Sequence, residues 1–206
     1  MSVLLRSSIL IYLVVLMTGC ATTQALSPQD KQNLHSISVN EKITYVPQAY
    51  YMGPGLGLLV FAGPVGGAVA GKVGADQGTQ LAEFARSNHV AIDQIVKEQL
   101  VGQIEQKTQL KIVKQKADAD LKITVNLYGF SVPTTYSFSV VPVLSVNAEL
   151  IKNKQVIWKN HYYVDPLFGG MNSYSSKEVF NEPEKVKAAW TAAAHKAAEK
   201  IVRTLS

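Results

Sequence analysis

Residues 140–164 read VVPVLSVNAELIKNKQVIWKNHYYV, and this stretch decides the fold. From residue 140 to residue 151, apolar and polar side chains alternate, which is the period of a strand with one buried face. The apolar face holds Leu144, Val146, Ala148 and Leu150, and the polar face holds Ser145, Asn147 and Glu149. The polar run 152–155, KNKQ, predicts a turn onto a second strand. That strand carries Val156, Trp158, Tyr162 and Val164, and the two strands are expected to be antiparallel neighbours.

Further strands precede this pair. Apolar residues at 121, 123, 125 and 127 alternate with Lys122, Thr124, Asn126 and Tyr128, which again indicates a half-buried strand, and the turn ADAD at 117–120 comes before it. A short strand is predicted at Leu110–Val113. An earlier one is predicted from Ile37 to Val46, interrupted at Asn40–Glu41 and closed by Pro47.

Two amphipathic helices are expected from apolar residues spaced three and four apart. The first runs from Leu81 to Ile104 and the second from Val186 to Leu205. Two start signals precede the second helix: Ser175 three residues before Glu178, and Asn181 three residues before Glu184. The fold class is therefore α+β, a mostly antiparallel sheet with two helices packed on one face, in one domain over residues 37–206.

Residues 52–78 form a glycine-rich apolar insert, and the overlapping range from Ile43 to Gly71 holds no charged residue. Gly63, Gly67 and Gly71 are spaced by four and would form one smooth stripe on a helix, a pattern that allows helices to approach closely in lipid. A hairpin of two apolar arms, or one helix kinked at Pro64, fits the sequence. Three interpretations stay open: a loop on the body, a segment that enters or lies on a membrane, and a phosphate-binding loop, which the missing GKS or GKT ending disfavours.

The N-terminus has the layout of an export signal, with Arg6 in a short lead and an uninterrupted apolar run from Ile9 to Met17. The run is shorter than the roughly 20 residues that span a bilayer. The following LMTGC at 16–20 resembles the lipobox of Gram-negative bacterial lipoproteins, although Met17 stands where leucine is usual. This resemblance implies cleavage after residue 19, a covalent lipid on Cys20 and a membrane anchor. Ala21, where an aspartate would favour inner-membrane retention, implies a periplasm-facing location on the outer membrane.

The remaining features of the mature chain fit an exported protein. Cys20 is the only cysteine, so no internal disulfide can form. Residues 20–36 are polar and are expected to be a lipidated tether without a core. Loss of Arg6 with residues 1–19 lowers the formal charge from +5 to +4, and no basic tract with interleaved aromatic residues indicates nucleic acid as a partner.

No motif for catalysis or metal binding is present. The histidines at 35, 89, 161 and 195 are isolated in sequence, and neither paired Cys/His spacing nor a Gly-x-Ser-x-Gly elbow occurs. We therefore expect no enzyme activity, no metal and no cofactor other than the lipid. The aromatic residues Tyr162, Tyr163, Phe168 and Tyr174 form either a partner-binding surface or the rim of the core.

The order of elements, together with the ADADL phrase at 117–121 and the hairpin bearing Trp158, is similar to periplasmic lipoprotein domains of the curli-secretion channel and of activators of peptidoglycan synthases. The favoured hypothesis is an outer-membrane lipoprotein that serves envelope assembly or secretion by binding envelope proteins or copies of itself. The alternatives are a membrane-inserting oligomeric pore or ring that uses the glycine-rich segment, and a periplasmic small-ligand binder or enzyme, which would require a pocket lined by convergent polar groups.

Overall fold

A computed structural model of the chain describes residues 23–54 and 63–205, and for residues 63–70 it describes the backbone only. The α+β class is confirmed, with helices packed on a sheet whose long strands are antiparallel. The strands in the described residues are β1 Ser36–Val39, β2 Thr44–Tyr45, β3 Tyr50–Met52, β4 Lys111–Ile112, β5 Ala119–Ser131, β6 Val141–Lys152 and β7 Gln155–Val164. The helices are α1 Pro28–Asn33, α2 Gly63–Ser87, α3 Ile92–Lys107, α4 Ser176–Asn181 and α5 Pro183–Val202.

The three long strands form the predicted antiparallel part of the sheet, in the order β5, β6, β7. The turn between β6 and β7 consists of Asn153 and Lys154, whose φ angles are 51° and 65°. Two consecutive residues with positive φ match the right-handed twist of a two-residue hairpin. The hairpin that residues 140–164 predicted is therefore confirmed.

A bulge at Asn126 in β5 changes which side chains face the core. Pairing with β6 shifts between Val125 and Leu127, so Asn126 has no opposite residue. Tyr128 consequently lies in the core, where its ring meets that of Trp190 at a centroid distance of 5.2 Å. The prediction that Tyr128 lies on the polar face of this strand is wrong, because simple alternation does not survive a bulge.

The other edge of β5 pairs with a broken parallel strand. β1, β2 and β3 follow one another along β5, each in parallel register, and β4 pairs in parallel with the outer edge of β1. The predicted interruption at Asn40–Glu41 is the gap between β1 and β2. The extension into β3 beyond Pro47 was not predicted.

The core lies between the sheet and helices α3 and α5. Helix α5 packs on β6 and β7, and α3 packs on α5. The largest fully buried side chains of the core include Trp158, Trp190 and Phe130. On the opposite face of the sheet, Glu149 lies between Lys122 and Lys159, at N–O distances of 3.6 and 3.2 Å. This face is more polar, as the alternation predicts.

The single helix predicted from Leu81 to Ile104 is in fact two helices, α2 and α3. His89 has a φ of 58°, its N–H donates to Arg86 O, and Val90 N–H donates to Ala85 O at 2.8 Å. This is the hydrogen-bond pattern of a Schellman motif, in which a left-handed residue ends the helix. The prediction failed because histidine, rather than glycine, occupies the left-handed position.

The prediction that residues 20–36 form a tether without a core is wrong for the part that the structure describes. Leu26 and Leu34 are buried, and helix α1 lies between them, capped by Ser27. The Gln24 backbone also pairs with Lys159 on the free edge of β7. Polar composition concealed this packing, because two apolar side chains suffice to dock a short helix. The folded body therefore begins by residue 24 rather than at residue 37.

The two start signals before the last predicted helix mark two separate helices. Ser175 and Glu178 form the capping box of α4, and Pro183 occupies the first turn of α5. The buried side of α5 is the predicted stripe, widened by small residues such as Ala189 and Ala198. The signal at Ser175 is confirmed as a helix start. The cap predicted at Asn181 is wrong, because Asn181 ends α4 and the N-cap of α5 is Glu182, which gives no side-chain cap hydrogen bond.

Candidate functional site

The residues predicted for anchoring and self-association fall largely at the edge of the described structure. Cys20 and the apolar arm 56–61 lie outside the described residues. Gly63 and Gly67 lie on helix α2, of which only the backbone is described there. Pro64 stands in the first turn of α2 as the structure describes it, where the missing N–H of proline is tolerated. The hairpin or kink predicted at Pro64 also involves residues 55–62, which lie outside the described residues, and it stays a prediction. Gly71 is exposed, and a Cβ added there would meet no atom within 4 Å.

The glycine stripe continues beyond Gly71 and packs within the protein. A Cβ added at Gly74 would come within 2.8 Å of Tyr51 O, and one at Gly78 would come closer still to Ala49 O. Gln48 Nε2 also donates to Ala75 O. These two glycines allow α2 to lie directly against the backbone leading into β3. Sequence reasoning missed this role, although Gly74 and Gly78, three and seven residues after Gly71, fall on the same face of a helix.

Among the described residues, no helix is both long enough and apolar enough to cross a membrane.

The four aromatic residues predicted as a partner surface do not form one surface. Tyr162 and Tyr174 are partly buried and pack on the core, with Tyr174 against Phe130 at a centroid distance of 6.2 Å. Tyr163 follows Tyr162 in β7 and therefore faces the other side of the sheet. Phe168 lies beyond the strand on a turn. The rim-of-core alternative holds for Tyr162 and Tyr174.

A different set of apolar side chains is exposed at one end of the sheet. The segment 132–140 joins β5 to β6, the segment 165–174 follows β7, and Val140 and Tyr174 pair through two backbone hydrogen bonds of 2.8 Å. We call these two segments the loop end. Its exposed side chains, with their exposed fractions, are Tyr136 (82%), Phe138 (91%), Leu167 (56%) and Phe168 (85%). Tyr136 and Phe138 were not predicted, and their only signal is an aromatic pair in a Ser/Thr-rich loop.

Phe168 is held on an ordered turn. The Asp165 carboxylate accepts hydrogen bonds from Leu167 N at 2.7 Å and from Phe168 N at 3.0 Å. Gly169 N–H donates to Asp165 O, and Lys196 Nζ donates to Gly169 O. An aspartate that bonds the backbone two and three residues on fixes such a turn. The turn therefore holds the backbone of Leu167 and Phe168 in one conformation, in which both side chains are exposed.

A cavity of about 260 Å³ lies where α2 ends and α3 begins. Tyr128 and Trp190, both buried, form its deep wall, and Tyr45, Arg86 and Asp93 stand nearer its mouth. The Tyr45 and Tyr128 rings meet nearly edge to face, at 6.3 Å and 71°. Residues from two helix ends, two strands and α5 meet here, and a pocket with converging polar groups is what the small-ligand alternative requires.

The polar groups of this cavity act on one another. Burial raises the pKa of the Tyr128 hydroxyl to about 12, Tyr45 and Asp93 add to the rise, and Arg86 opposes it. The Tyr128 phenol therefore stays protonated, as a hydrogen-bond donor, at any physiological pH. The Trp190 Nε1–H is buried and has no hydrogen-bond partner among the described residues.

One further polar pair is a candidate for chemistry. Ser145 Oγ and His161 Nε2 are hydrogen-bonded at 2.9 Å on the polar face of the sheet. Activation of a serine normally also needs a third group that orients the histidine. No hydrogen bond joins the His161 ring to a carboxylate among the described residues, and within that same part of the chain no group of three or more His, Cys, Asp or Glu side chains is arranged to hold a metal ion.

Comparison with known proteins yields distant similarities only. No family model and no curated protein matches the chain. Among solved structures, protein XCC0632 from Xanthomonas campestris, described under family model DUF330, is 14% identical with a TM-score of 0.46, covering 88% of this chain and 90% of that one. Two PelC dodecamers from Paraburkholderia phytofirmans are 15% and 14% identical, with TM-scores of 0.35 and 0.36. They cover 90% and 89% of this chain, and 92% and 94% of their own. Likenesses this distant assign no function to the chain.

Proposed function

We propose that the chain is a periplasm-facing lipoprotein of the outer membrane, anchored through Cys20, that serves envelope assembly or secretion without enzyme activity. It acts by binding other envelope proteins or further copies of itself, and the loop end is the binding surface. The observation that carries this proposal is the exposure of four large apolar side chains together on two paired loops.

The chemistry of the loop end supports a protein partner. Large apolar side chains exposed together on a folded protein mark interaction surfaces, because leaving them in water forgoes about 25 cal/mol for each Å² that could be buried. Aromatic residues also supply much of the binding energy at interfaces. The hydrogen-bonded turn at Asp165 supports the proposal further, since a rigid turn loses little conformational entropy on binding.

The position of the N-terminal segment relates the loop end to the anchor. Gln24 pairs with Lys159 in antiparallel orientation, so at Gln24 the preceding chain is directed toward the Val164 end of β7, from which the loop end extends. Cys20 is four residues before Gln24, and four residues span at most about 14 Å. A lipid on Cys20 would hold the loop end near the membrane, where other anchored proteins and copies of this chain are concentrated.

The exposed part of α2 supports self-association as one form of this binding. Gly71 and Val73 are exposed on α2, and no described atom lies within 4 Å of the Gly71 Cβ position. The stripe of Gly63, Gly67 and Gly71 would let a second helix approach closely.

Crosslinking in living cells tests the proposal. A photo-reactive amino acid replaces Phe138 or Phe168, and the control replaces Lys116, which is exposed before β5 at the opposite end of the sheet. We expect adducts to an envelope protein or to a second copy from Phe138 and Phe168, and none from Lys116. The partner is then identified by mass spectrometry.

Two results would contradict the proposal. Illumination could give no protein adduct from either loop position, or the same adducts from Lys116 as from Phe138. The anchor is tested separately: globomycin should block processing of the precursor, and mass spectrometry of the mature protein should find a lipid on Cys20. Unaltered processing, or a free thiol, would remove the membrane location.

A further inference from the structure

The proposed binding through the loop end does not involve the cavity between α2 and α3. Its walls combine buried apolar groups, among them Ala85 and Ile92, with the hydroxyl of Tyr128. At about 260 Å³ it lies just below the usual range for drug-sized ligands, so it suits a molecule of only a few heavy atoms.

Two opposite charges flank this cavity without pairing. Arg86 comes from the last turn of α2 and Asp93 from the first turn of α3, and they form no ion pair within the described residues. Both act on Tyr128, which places both charges around the same space. A guanidinium presents a fork of N–H donors that matches a carboxylate. An aspartate accepts hydrogen bonds from a primary ammonium group, and it attracts a quaternary one, which has no N–H, through its charge alone.

The start of α3 and the indole of Trp190 add donors with no acceptor. Ala91 occupies the N-cap of α3 and gives no side-chain hydrogen bond to the first turn, so that turn offers backbone N–H groups and the positive end of the helix dipole. Independently, the Trp190 side chain lines the cavity, and its buried Nε1–H has no partner in the part of the chain that the structure describes. The nitrogen itself is covered, so the indole is a reporter of the cavity that its ring lines rather than a direct ligand contact.

We propose that this cavity binds a small zwitterion, a molecule with one carboxylate and one ammonium group, such as a free amino acid or a betaine. The carboxylate faces Arg86 and the start of α3, and the ammonium group faces Asp93. A simple anion is a poorer fit because Asp93 repels it, and a simple cation is a poorer fit because Arg86 repels it. The aromatic rings of Tyr45 and Tyr128 pack against the carbon atoms between the two charges.

The two tryptophans of the chain provide a spectroscopic test. Trp158 Nε1 donates to Thr204 Oγ1 at 3.1 Å, whereas no described residue accepts from Trp190 Nε1. The full chain, purified in mild detergent with ¹⁵N-labelled tryptophan, is titrated with glycine betaine and with L-alanine. At least one of them should shift the Trp190 indole N–H signal while the Trp158 signal stays in place. Thr204→Ala, which removes the Trp158 acceptor, assigns the two signals.

Ligands that carry only one of the two charges, together with matched variants of the protein, make the test specific. Acetate and tetramethylammonium carry one charge each and should bind at least tenfold more weakly than the zwitterion. Arg86→Gln and Asp93→Asn should each weaken binding by about tenfold to a hundredfold, the loss of one hydrogen bond to a charged group. The control substitutions Lys72→Gln and Glu98→Gln each remove a charge of the same sign from an exposed site on the same helix. These variants should bind the zwitterion as the wild type does.

The proposal is overturned if neither zwitterion moves the Trp190 signal at millimolar concentration, or if acetate alone moves it equally. It is also overturned if Arg86→Gln and Asp93→Asn retain wild-type affinity. An unchanged Trp158 signal in these variants shows that the fold around α5 is intact, so a loss of binding reports on the cavity. None of these results depends on the loop end, and the test is independent of the interaction proposed for it.

Discussion

Alanine substitutions at two glycines of helix α2 should have opposite effects on stability. Gly71→Ala places a Cβ in open space, and alanine is favoured over glycine in a helix by about 0.5–1 kcal/mol. Gly78→Ala gains the same helix propensity, but its Cβ would lie far inside 3.0 Å of the Ala49 carbonyl oxygen. That oxygen belongs to the backbone leading into β3, so relief requires the helix and the strand to separate by about an ångström or more.

The expected magnitudes follow from these contacts. Overpacking of this kind costs about 1–3 kcal/mol, so after the propensity gain Gly78→Ala should lower the free energy of unfolding by about 1–2 kcal/mol. Because both variants gain the same helix propensity, they should differ by the overpacking cost of about 1–3 kcal/mol, which for a chain of this size is roughly 2–12 °C in Tm. Gly74→Ala, whose Cβ would lie 2.8 Å from Tyr51 O, should fall between them.

Urea and thermal unfolding of the three variants, followed by circular dichroism, measure the difference. The controls are the wild-type protein in the same detergent and the shape of each transition, which should stay cooperative. If Gly78→Ala is as stable as Gly71→Ala, then α2 does not lie against the backbone before β3, and the packing role of the glycine stripe is refuted.

Three further predictions concern single contacts. Thr204→Ala leaves the Trp158 Nε1–H without its acceptor and should destabilise the protein by about 1–3 kcal/mol, measured by urea unfolding; a neutral effect would contradict the hydrogen bond. Hydrogen bonds, first from the His35 backbone N–H and then from Ser36, lower the pKa of the Asp118 carboxyl below the ordinary aspartate value of 3.8. The contribution of Asp118 to stability is therefore present above pH 3.8 and is lost as pH falls through the lowered pKa. Asp118→Asn should reduce the loss of stability at acid pH, measured as the free energy of unfolding against pH. An unchanged loss in this variant would count against the prediction. Gly67→Leu should abolish any self-association that runs through the α2 stripe, as judged by crosslinking in cells, and wild-type oligomers in this variant would exclude the stripe.

Several elements were predictable because the interactions that define them are local. Alternation in residues 140–164 predicts β6 and β7, and two residues able to adopt positive φ close the hairpin. The stripe of α5 and the capping box at Ser175 are equally local, since each depends on residues three or four positions apart.

The features that were mispredicted depend on distant or atypical residues. The parallel pairing of β1 to β3 with β5 joins segments about 80 residues apart, and no period in either segment specifies it. The break between α2 and α3 at His89 contains no glycine or proline that would predict it from the sequence. The burial of Leu26 and Leu34 was not apparent, because a segment with so few apolar residues reads as a tether.

The sequence by itself determined the α+β class, the antiparallel hairpin and the expectation of a lipid on Cys20, since each depends on a short continuous pattern. Only the tertiary structure decided which side chains meet: the exposed loop end, the internal packing of Gly74 and Gly78, and the cavity between Arg86 and Asp93. The physical reason is that periodicity fixes which face of an element is apolar, whereas the position of a side chain in space depends on how elements far apart in the chain pack together.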